Sequence, residues 1–165
     1  MKRKTILVLM TLGILVFCNS YASATPITLW AARNLNVGIV TVSNDGNDLT
    51  IMICMENGWR IIESHVSVHT DCGLIPQTGS GNAIPGKFIW KKGTEPQSCH
   101  SYSIPLSTID QGVAPDDVLC IAVHAVVKKK CEVTDETAWA CCPCGSAPHE
   151  FPGKKWDYCF WYTVQ

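Results

Sequence analysis

Apolar and polar residues alternate along several stretches of this chain, with the period of two that is typical of half-buried β-strands. Between Leu49 and Met55, for example, every second residue is apolar. The pattern predicts strands at residues 37–43, 49–55, 59–70, 102–106, 118–127 and 158–164. Residues 118–127 are apolar on both faces except at His124, which predicts a buried central strand.

Turn-forming residues separate these segments. Asp45 and Gly46 lie between two predicted strands and predict a hairpin turn, because glycine accepts a positive φ without steric cost. Residues 71–97 are rich in Gly, Pro, Ser and Asn, which predicts a long, packed surface loop with Phe88 and Trp90 as its anchors. We therefore expect a single all-β domain over residues 25–165. Its predicted form is an antiparallel two-sheet β-sandwich, of which a jelly roll is one variant, stabilised by disulfides.

The first 24 residues have the composition of a cleavable signal peptide. A positive start at residues 2–4 precedes an apolar run at residues 6–17, and Ala22 and Ala24 supply the small residues at which a signal peptidase cuts. This run has about twelve residues, whereas a membrane-spanning helix needs about twenty. We therefore expect export, to the extracellular medium, the cell surface or the periplasm, with no membrane attachment after cleavage.

Charge gives no support for nucleic-acid binding. Loss of the three cations of the signal peptide lowers the formal net charge from −1 to −4, and residues 128–130 form the only cationic cluster of the remaining sequence. Binding along a phosphate backbone needs a wider basic surface than three adjacent lysines. Nucleic acid is therefore excluded as an expected partner.

Ten cysteines, nine of them after the predicted signal peptide, indicate cross-links formed in an oxidising compartment. The candidates for disulfides are Cys54, Cys72, Cys99, Cys131, Cys141, Cys142, Cys144 and Cys159. Cys120 lies in the most apolar segment and is predicted to be a buried, inert thiol. Because nine is odd, one cysteine is left over, and an intermolecular disulfide is one outcome. Cys141 and Cys144 also have the spacing of a zinc knuckle, but the compartment favours disulfides.

One set of polar residues has the chemistry of a metal site or of a general base. Glu63 and His65 are two apart on a predicted strand, so their side chains point to the same face. If His65 and His124 meet a carboxylate, Glu63 or Glu136, they would suit a divalent transition metal. The alternative is a structural cluster in which buried polar groups satisfy one another. The sequence contains no Gly-x-Ser-x-Gly elbow and no His-Glu-x-x-His pair.

Aromatic residues crowd the last quarter of the chain and offer another kind of site. Exposed rings stack on sugars or hold a partner surface, whereas buried rings belong to the core. The candidates for ligand-facing aromatics are Trp90, Trp156 and Trp161.

Several segments, in this order, resemble a domain of secreted bacterial and archaeal proteins that has no assigned activity. They are residues 44–46 (NDG), Trp59 with residues 63–65 (ESH), and residues 81–88 (GNAIPGKF), 122–127 (AVHAVV), 136–139 (ETAW) and 151–153 (FPG) with Trp156. The resemblance implies a secreted β-sandwich and assigns no catalytic residue, cofactor or ligand. This chain differs from that pattern in its cysteines at positions 141, 142 and 144 and in its C-terminal aromatic segment.

Two functions are consistent with these observations. The favoured one is a non-catalytic binding or structural module that needs no cofactor and whose partner is a carbohydrate or a cell-surface protein. The alternative is a metal-dependent hydrolase, in which His65, His124 and Glu63 or Glu136 hold a divalent ion that activates water. An aromatic side chain open to a ligand would favour the first function, and convergence of the two imidazoles is required by the second.

Overall fold

The computed structural model describes residues 26–141 and 149–165, which form ten strands. The strands are β1 (Ile27–Ala31), β2 (Leu35–Asn44), β3 (Asp48–Met55), β4 (Trp59–His69), β5 (Trp90–Gln97), β6 (Cys99–Pro105), β7 (Val118–Lys129), β8 (Asp135–Cys141), β9 (His149–Glu150) and β10 (Tyr158–Thr163). Three 3-10 turns, at Cys72–Leu74, Pro85–Lys87 and Leu106–Thr108, are the helical segments of this part of the chain. No helix within the described residues has the length and apolarity needed to cross a bilayer.

All strand pairs are antiparallel, and neighbouring strands follow the order β5-β4-β7-β8-β1-β2-β3-β6. In addition, β10 pairs with β7, and the short β9 pairs with β10. The sheet curls until it is nearly closed into a barrel, with β5 and β6 at the two ends of the strand order. The predicted all-β antiparallel class is therefore confirmed. A two-sheet sandwich or jelly roll is not confirmed, because the strands form one continuous sheet.

Alternation along the strands produces an inner core and an outer cluster on opposite faces of the sheet. The inner core includes the fully buried residues Leu29, Val40, Ile51, Ile61, Ile104, Ile121 and Val123. The outer cluster consists of Ile75, Ala83, Phe88, Cys120, Ala122, Trp139, Phe151 and Cys159. Strand β7 contributes to both sets and is buried on both faces, as its continuous apolar run predicts.

The sequence pattern predicts β4 and β7 closely but does not show β1, β5 or β8. Trp90–Gln97 is strand β5, so the loop predicted at residues 71–97 ends before Trp90. Gly93 and Pro96 obscure the strand pattern there, and an edge strand tolerates both. The pairing of β4 with β5 contains a β-bulge between Ile61 and Glu63, and Gly93 of β5 packs against this bulge. A Cβ atom on Gly93 would lie only 2.8 Å from the carbonyl oxygen of Ile62.

Two disulfides join distant parts of the chain. Cys54–Cys99 links β3 to β6, and Cys72–Cys120 ties the loop after β4 to β7. The prediction that Cys120 is an inert thiol is therefore wrong: its side chain faces the outer cluster, where the loop brings Cys72. The two bonds indicate an oxidising compartment, extracellular or periplasmic.

The structure tests only some of the remaining cysteine predictions. Cys131 is exposed and forms no disulfide within the described residues. Cys142 and Cys144 lie outside the described residues, as do the predicted signal peptide and its cleavage point. Pairings that involve Cys141, Cys142, Cys144 or Cys159 therefore stay predictions.

A buried polar cluster connects β4 to β6 where the sheet nearly closes. Ser64 Oγ on β4 lies 2.6 Å from His100 Nδ1 and 2.6 Å from Tyr102 Oη, both on β6. Burial lowers the pKa of His100, and the charge of Lys92 lowers it further. The ring is therefore neutral, and side-chain hydrogen bonds link strands that share no continuous backbone ladder.

We expect Ser64→Ala to lower the free energy of unfolding by about 1–3 kcal/mol, because it removes the hydrogen-bond partner of the buried His100 Nδ1. Ser67→Ala is the matched control, since Ser67 Oγ is also buried on β4 but has no hydrogen-bond partner within the described residues. Removing that hydroxyl should leave the stability unchanged or raise it. Urea denaturation measures both variants, and equal losses would contradict a specific role for Ser64.

Candidate ligand cavity

The register of the sheet places five side chains in a row across its outer face. Lys91, His65, His124, Trp139 and Trp30 lie directly opposite one another on β5, β4, β7, β8 and β1. Opposed residues of an antiparallel pair point to the same face and have closely spaced Cβ atoms. Two histidines that are 59 residues apart in the sequence therefore meet.

His65 connects Glu63 to His124. Its Nε2 atom lies 2.8 Å from Glu63 Oε1, and its Nδ1 atom lies 3.2 Å from Nδ1 of His124. Both histidines are buried, whereas about half of the Glu63 side chain is exposed. Because the two nitrogens of one imidazole point in different directions, these groups form a hydrogen-bonded chain that runs from the surface to His124.

His124 is held in this environment as a neutral ring. Burial lowers its pKa from 6.5 to about 3, and the neighbouring His65 contributes to the shift. The rings of His124 and Trp139 meet edge to face, with their centroids 4.8 Å apart. A neutral imidazole donates a hydrogen bond from one nitrogen and accepts at the other, so His124 can serve as either partner to a ligand, depending on its tautomer.

Two loops meet above the row of side chains: the loop that follows β4 and the loop between β9 and β10. Asn82 Oδ1 accepts a hydrogen bond from the backbone of Lys155 at 3.0 Å, and Asp157 Oδ2 accepts from the backbone of Ala83. A Cβ atom on Gly153 would lie 2.2 Å from Asn82 Oδ1, so the close approach of the loops requires glycine at this position. These contacts hold the loops in a defined position over β7 and β8.

A cavity of about 310 Å³ lies between the loops and the outer face of the sheet. It is lined by Ala83, Pro85, His124, Thr137, Trp139, Lys155, Trp156 and Asp157. Pockets that bind small molecules in proteins begin at about this size and combine apolar walls with a few polar groups. Here the walls include two indole rings, and the polar groups are an imidazole, a hydroxyl, an ammonium and a carboxylate.

The carboxylate of Asp157 has an unsatisfied oxygen. The residue is 2% exposed, and Oδ1 has no hydrogen-bond partner within the described residues, although Oδ2 is satisfied by Ala83. A buried polar atom without a partner costs free energy, and most such atoms in proteins are paired. Asp157 lines the cavity, but Oδ1 itself has almost no accessible surface, so a donor in the cavity would reach it only if the side chain turned toward the cavity.

The structure brings together three of the four residues predicted for a metal site. Glu63, His65 and His124 are in contact, whereas Glu136 lies opposite Val127 and on the face of the inner core. The Nδ1 atoms of the two histidines are close enough to share one ion, but a catalytic zinc site ordinarily has three protein ligands. Within the described residues no third His, Cys, Asp or Glu joins the pair, and the divalent metal stays a prediction.

A different group has the spacing of metal ligands. Ligand atoms of Cys72, His149 and Cys159 all lie within 4.8 Å of one another. The sulfur of Cys72, however, is bonded to Cys120, and a metal takes the thiolate form of cysteine. The predicted zinc knuckle is not tested, because Cys144 lies outside the described residues.

The three aromatic residues predicted to face a ligand have different positions. Trp156 lines the cavity. Trp90 is partly buried against the inner core, and Trp161 is half exposed on β10, with its ring centroid 5.6 Å from that of His149. Among the three, Trp156 is therefore the residue placed to contact a ligand in the cavity.

Sequence reasoning did not identify Trp139, Thr137, Lys155 or Asp157 as site residues. A signal was present, however, in the segments that resemble the secreted domain. Residues 81–88, 122–127 and 136–139 each contribute to the lining, as does Trp156, which belongs to the last of those segments. Segments that are distant in the sequence thus converge on one cavity.

Comparison with known proteins adds no further assignment: no family model matches the chain, and no curated protein or solved structure matches it significantly.

Proposed function

We propose that this protein is a secreted, non-catalytic domain that binds a saccharide unit in the cavity between Trp139 and Trp156. Indole rings offer flat apolar surfaces to the C–H faces of a sugar ring. Asp157, His124 and Thr137 supply hydrogen-bonding groups for its hydroxyls. The volume of the cavity suits a ligand of one or two rings.

The observation that carries this proposal is the unpaired Oδ1 atom of Asp157. Asp157 lines the cavity together with two tryptophans, and a turn of its side chain toward the cavity would let a ligand hydroxyl donate to Oδ1 and remove the cost of the unpaired atom. An apolar ligand would leave that cost in place. A ligand with both an apolar face and hydroxyl groups, as a sugar has, satisfies the whole lining.

The compartment supports the same proposal. Two disulfides are consistent with a domain that works outside the cytoplasm, and export would follow cleavage of the predicted signal peptide. Polysaccharides and glycoproteins are abundant at that location. The Cys72–Cys120 bond also ties the loop that carries Ala83 to β7, and a restrained loop lowers the entropic cost of binding.

Binding is better supported than hydrolysis. A general base works best when its pKa lies near the pH of the reaction, and the pKa of His124 is about 3. His124 therefore remains neutral and is a weak base at neutral pH. The same neutral ring is well suited to a fixed hydrogen bond with a ligand.

Trp156→Ala and Asp157→Asn are expected to weaken sugar binding by roughly tenfold or more, through loss of stacking and of a charge-assisted hydrogen bond. Asp157→Asn retains an oxygen for the backbone of Ala83, so the fold should persist, which circular dichroism checks. A glycan array selects the sugar, and isothermal titration measures its affinity. Trp161→Ala is the control, because Trp161 is an exposed indole outside the cavity lining. A blank array, or equal losses in all three variants, would contradict the proposal.

A further inference from the structure

We propose that the reduced form of this protein binds one zinc ion through Cys72, Cys120, Cys159 and His149. In the oxidised protein Cys72 and Cys120 form a disulfide, so the ion and the bond are alternatives at one place in the fold. The four side chains come from separate segments: the loop after β4, and strands β7, β9 and β10. This site is independent of whatever the cavity binds.

The hairpin of β9 and β10 sets His149 beside Cys159. These two residues are directly opposite in the antiparallel ladder, so their side chains point to the same face. The sulfur of Cys159 also lies 3.8 Å from the carbonyl oxygen of His149. Imidazole and thiolate are the usual ligands of structural zinc sites, and three cysteines with one histidine are a common set.

Cys72 already has the spacing of a further ligand. Its sulfur lies 3.7 Å from the sulfur of Cys159, and ligand atoms of Cys72, Cys159 and His149 are all within 4.8 Å of one another. A tetrahedral zinc ion with Zn–S bonds of about 2.3 Å separates its sulfur ligands by about 3.8 Å. Among the described residues, this is the one group of three His, Cys, Asp or Glu side chains with such spacing.

Cys120 supplies the fourth ligand once its bond to Cys72 is reduced. Trp161 of β10 lies opposite Cys120 of β7, so Cys159, two residues before Trp161, is a diagonal neighbour of Cys120 on the same face. The sulfurs of a disulfide are about 2 Å apart and must separate by nearly as much again to share one ion. We expect Cys72 to make this movement, because it lies in a loop whereas Cys120 lies within β7.

The four ligands extend from the interior of the protein to its surface. Cys120 and Cys159 have no exposed surface, Cys72 is partly exposed, and His149 is exposed. An ion bound at the exposed imidazole would therefore lie beside the sulfurs of Cys72 and Cys159. Buried thiolates need a compensating charge, and a divalent cation supplies it.

The ion replaces the disulfide in two steps. A dithiol gives two electrons and two protons to the Cys72–Cys120 bond, which breaks into two thiols while the dithiol closes its own disulfide. Zn²⁺ then binds the thiolates of Cys72, Cys120 and Cys159 and the neutral imidazole of His149, and three protons pass to the solvent. Excess dithiol converts every cysteine to a thiol, whatever its bonds in the oxidised protein. A newly made chain is already reduced and needs the second step alone.

Metal titrations test the site. The protein is reduced with a dithiol, separated from it by gel filtration without oxygen, and titrated with Co²⁺ and then with Zn²⁺. We expect the first equivalent of Co²⁺ to give the visible absorption of a tetrahedral thiolate complex, and one equivalent of Zn²⁺ to abolish it. The oxidised protein should give no such absorption. Its absence from the reduced protein, or equal absorption by the oxidised protein, would overturn the proposal.

Substitutions identify the ligands. His149→Ala and Cys159→Ser should each weaken Zn²⁺ binding by at least about tenfold, because each removes one of four bonds to the ion. His149 is exposed, so its replacement leaves the core intact. The controls are Cys131→Ser, at an exposed cysteine, and the double substitution of Cys142 and Cys144 by serine, and both should stay within about threefold. A loss in the double variant as large as that in His149→Ala would assign the ion to other ligands and refute the proposal.

Thermal unfolding compares the two disulfides. Excess Zn²⁺ should raise the midpoint of the reduced protein by roughly 10 °C, and a chelator should reverse the shift. A variant with serine at Cys54 and Cys99 loses one disulfide but no zinc ligand, so it should retain this shift. A variant with serine at Cys72 and Cys120 should lose it. Equal shifts in the two variants would contradict the assigned site.

Discussion

Trp139→Ala is expected to lower the free energy of unfolding by about 3–5 kcal/mol, the range for truncation of a buried tryptophan. Trp139 is 5% exposed, and its ring centroid lies 4.8 Å from that of His124, 6.3 Å from Phe88 and 6.5 Å from Phe151. The substitution removes the ring that connects the loop anchors to the sheet. It also removes one wall of the cavity, so sugar binding should be lost together with stability.

Trp161→Ala provides the comparison for this variant. Trp161 is 51% exposed, and we expect a change within roughly 1 kcal/mol, as is usual for surface positions. Urea denaturation at neutral pH gives both values. If Trp139→Ala lowered the free energy of unfolding as little as Trp161→Ala, the outer cluster would contribute little to folding. That result would contradict the arrangement described above.

Mild acid is expected to destabilise the protein through His124. The folded state holds the pKa of this residue at about 3, whereas the unfolded chain has the ordinary value of 6.5. Between these values the unfolded state binds a proton that the folded state does not, so stability decreases as the pH falls from about 6.5 toward 3. The shift corresponds to a loss on the order of 5 kcal/mol, with a slope of at most about 1.4 kcal/mol per pH unit.

His124→Asn removes this titration and is the variant to compare. Its stability should depend less on pH between about 6.5 and 4, when urea denaturation is repeated in steps across that range. Asp110 contributes to both proteins: burial raises its pKa, but hydrogen bonds from Thr70 and His69 outweigh burial and leave the pKa lowered. The stabilising effect of Asp110 is present above pH 3.8, the ordinary pKa of the carboxyl group, and is lost as the pH falls through its lowered pKa in the folded state. Because both proteins contain Asp110, this effect cancels when their stabilities are subtracted. Parallel pH profiles would refute the assignment to His124.

Local patterns in the chain were sufficient for the class of fold and for several of its strands. The period-two alternation indicated β4 and β7 to within about two residues, and Asp45 with Gly46 indicated the hairpin between β2 and β3. The pairing of Glu63 with His65 was also accessible, since two residues on one strand face are neighbours whatever the rest of the fold does. Each of these inferences depends on residues that are close in sequence.

What the chain could not reveal without its tertiary structure is which distant residues meet. The register between β4 and β7 sets His65 against His124, and the register between β7 and β8 sets His124 against Trp139. A shift of one residue in either pair would reverse which side chains share a face, and no local pattern specifies that shift. The bond from Cys120 to Cys72 and the burial of Asp157 likewise depend on where loops settle over the sheet. Packing of the whole domain selects those positions, because only the folded arrangement brings these groups out of water together.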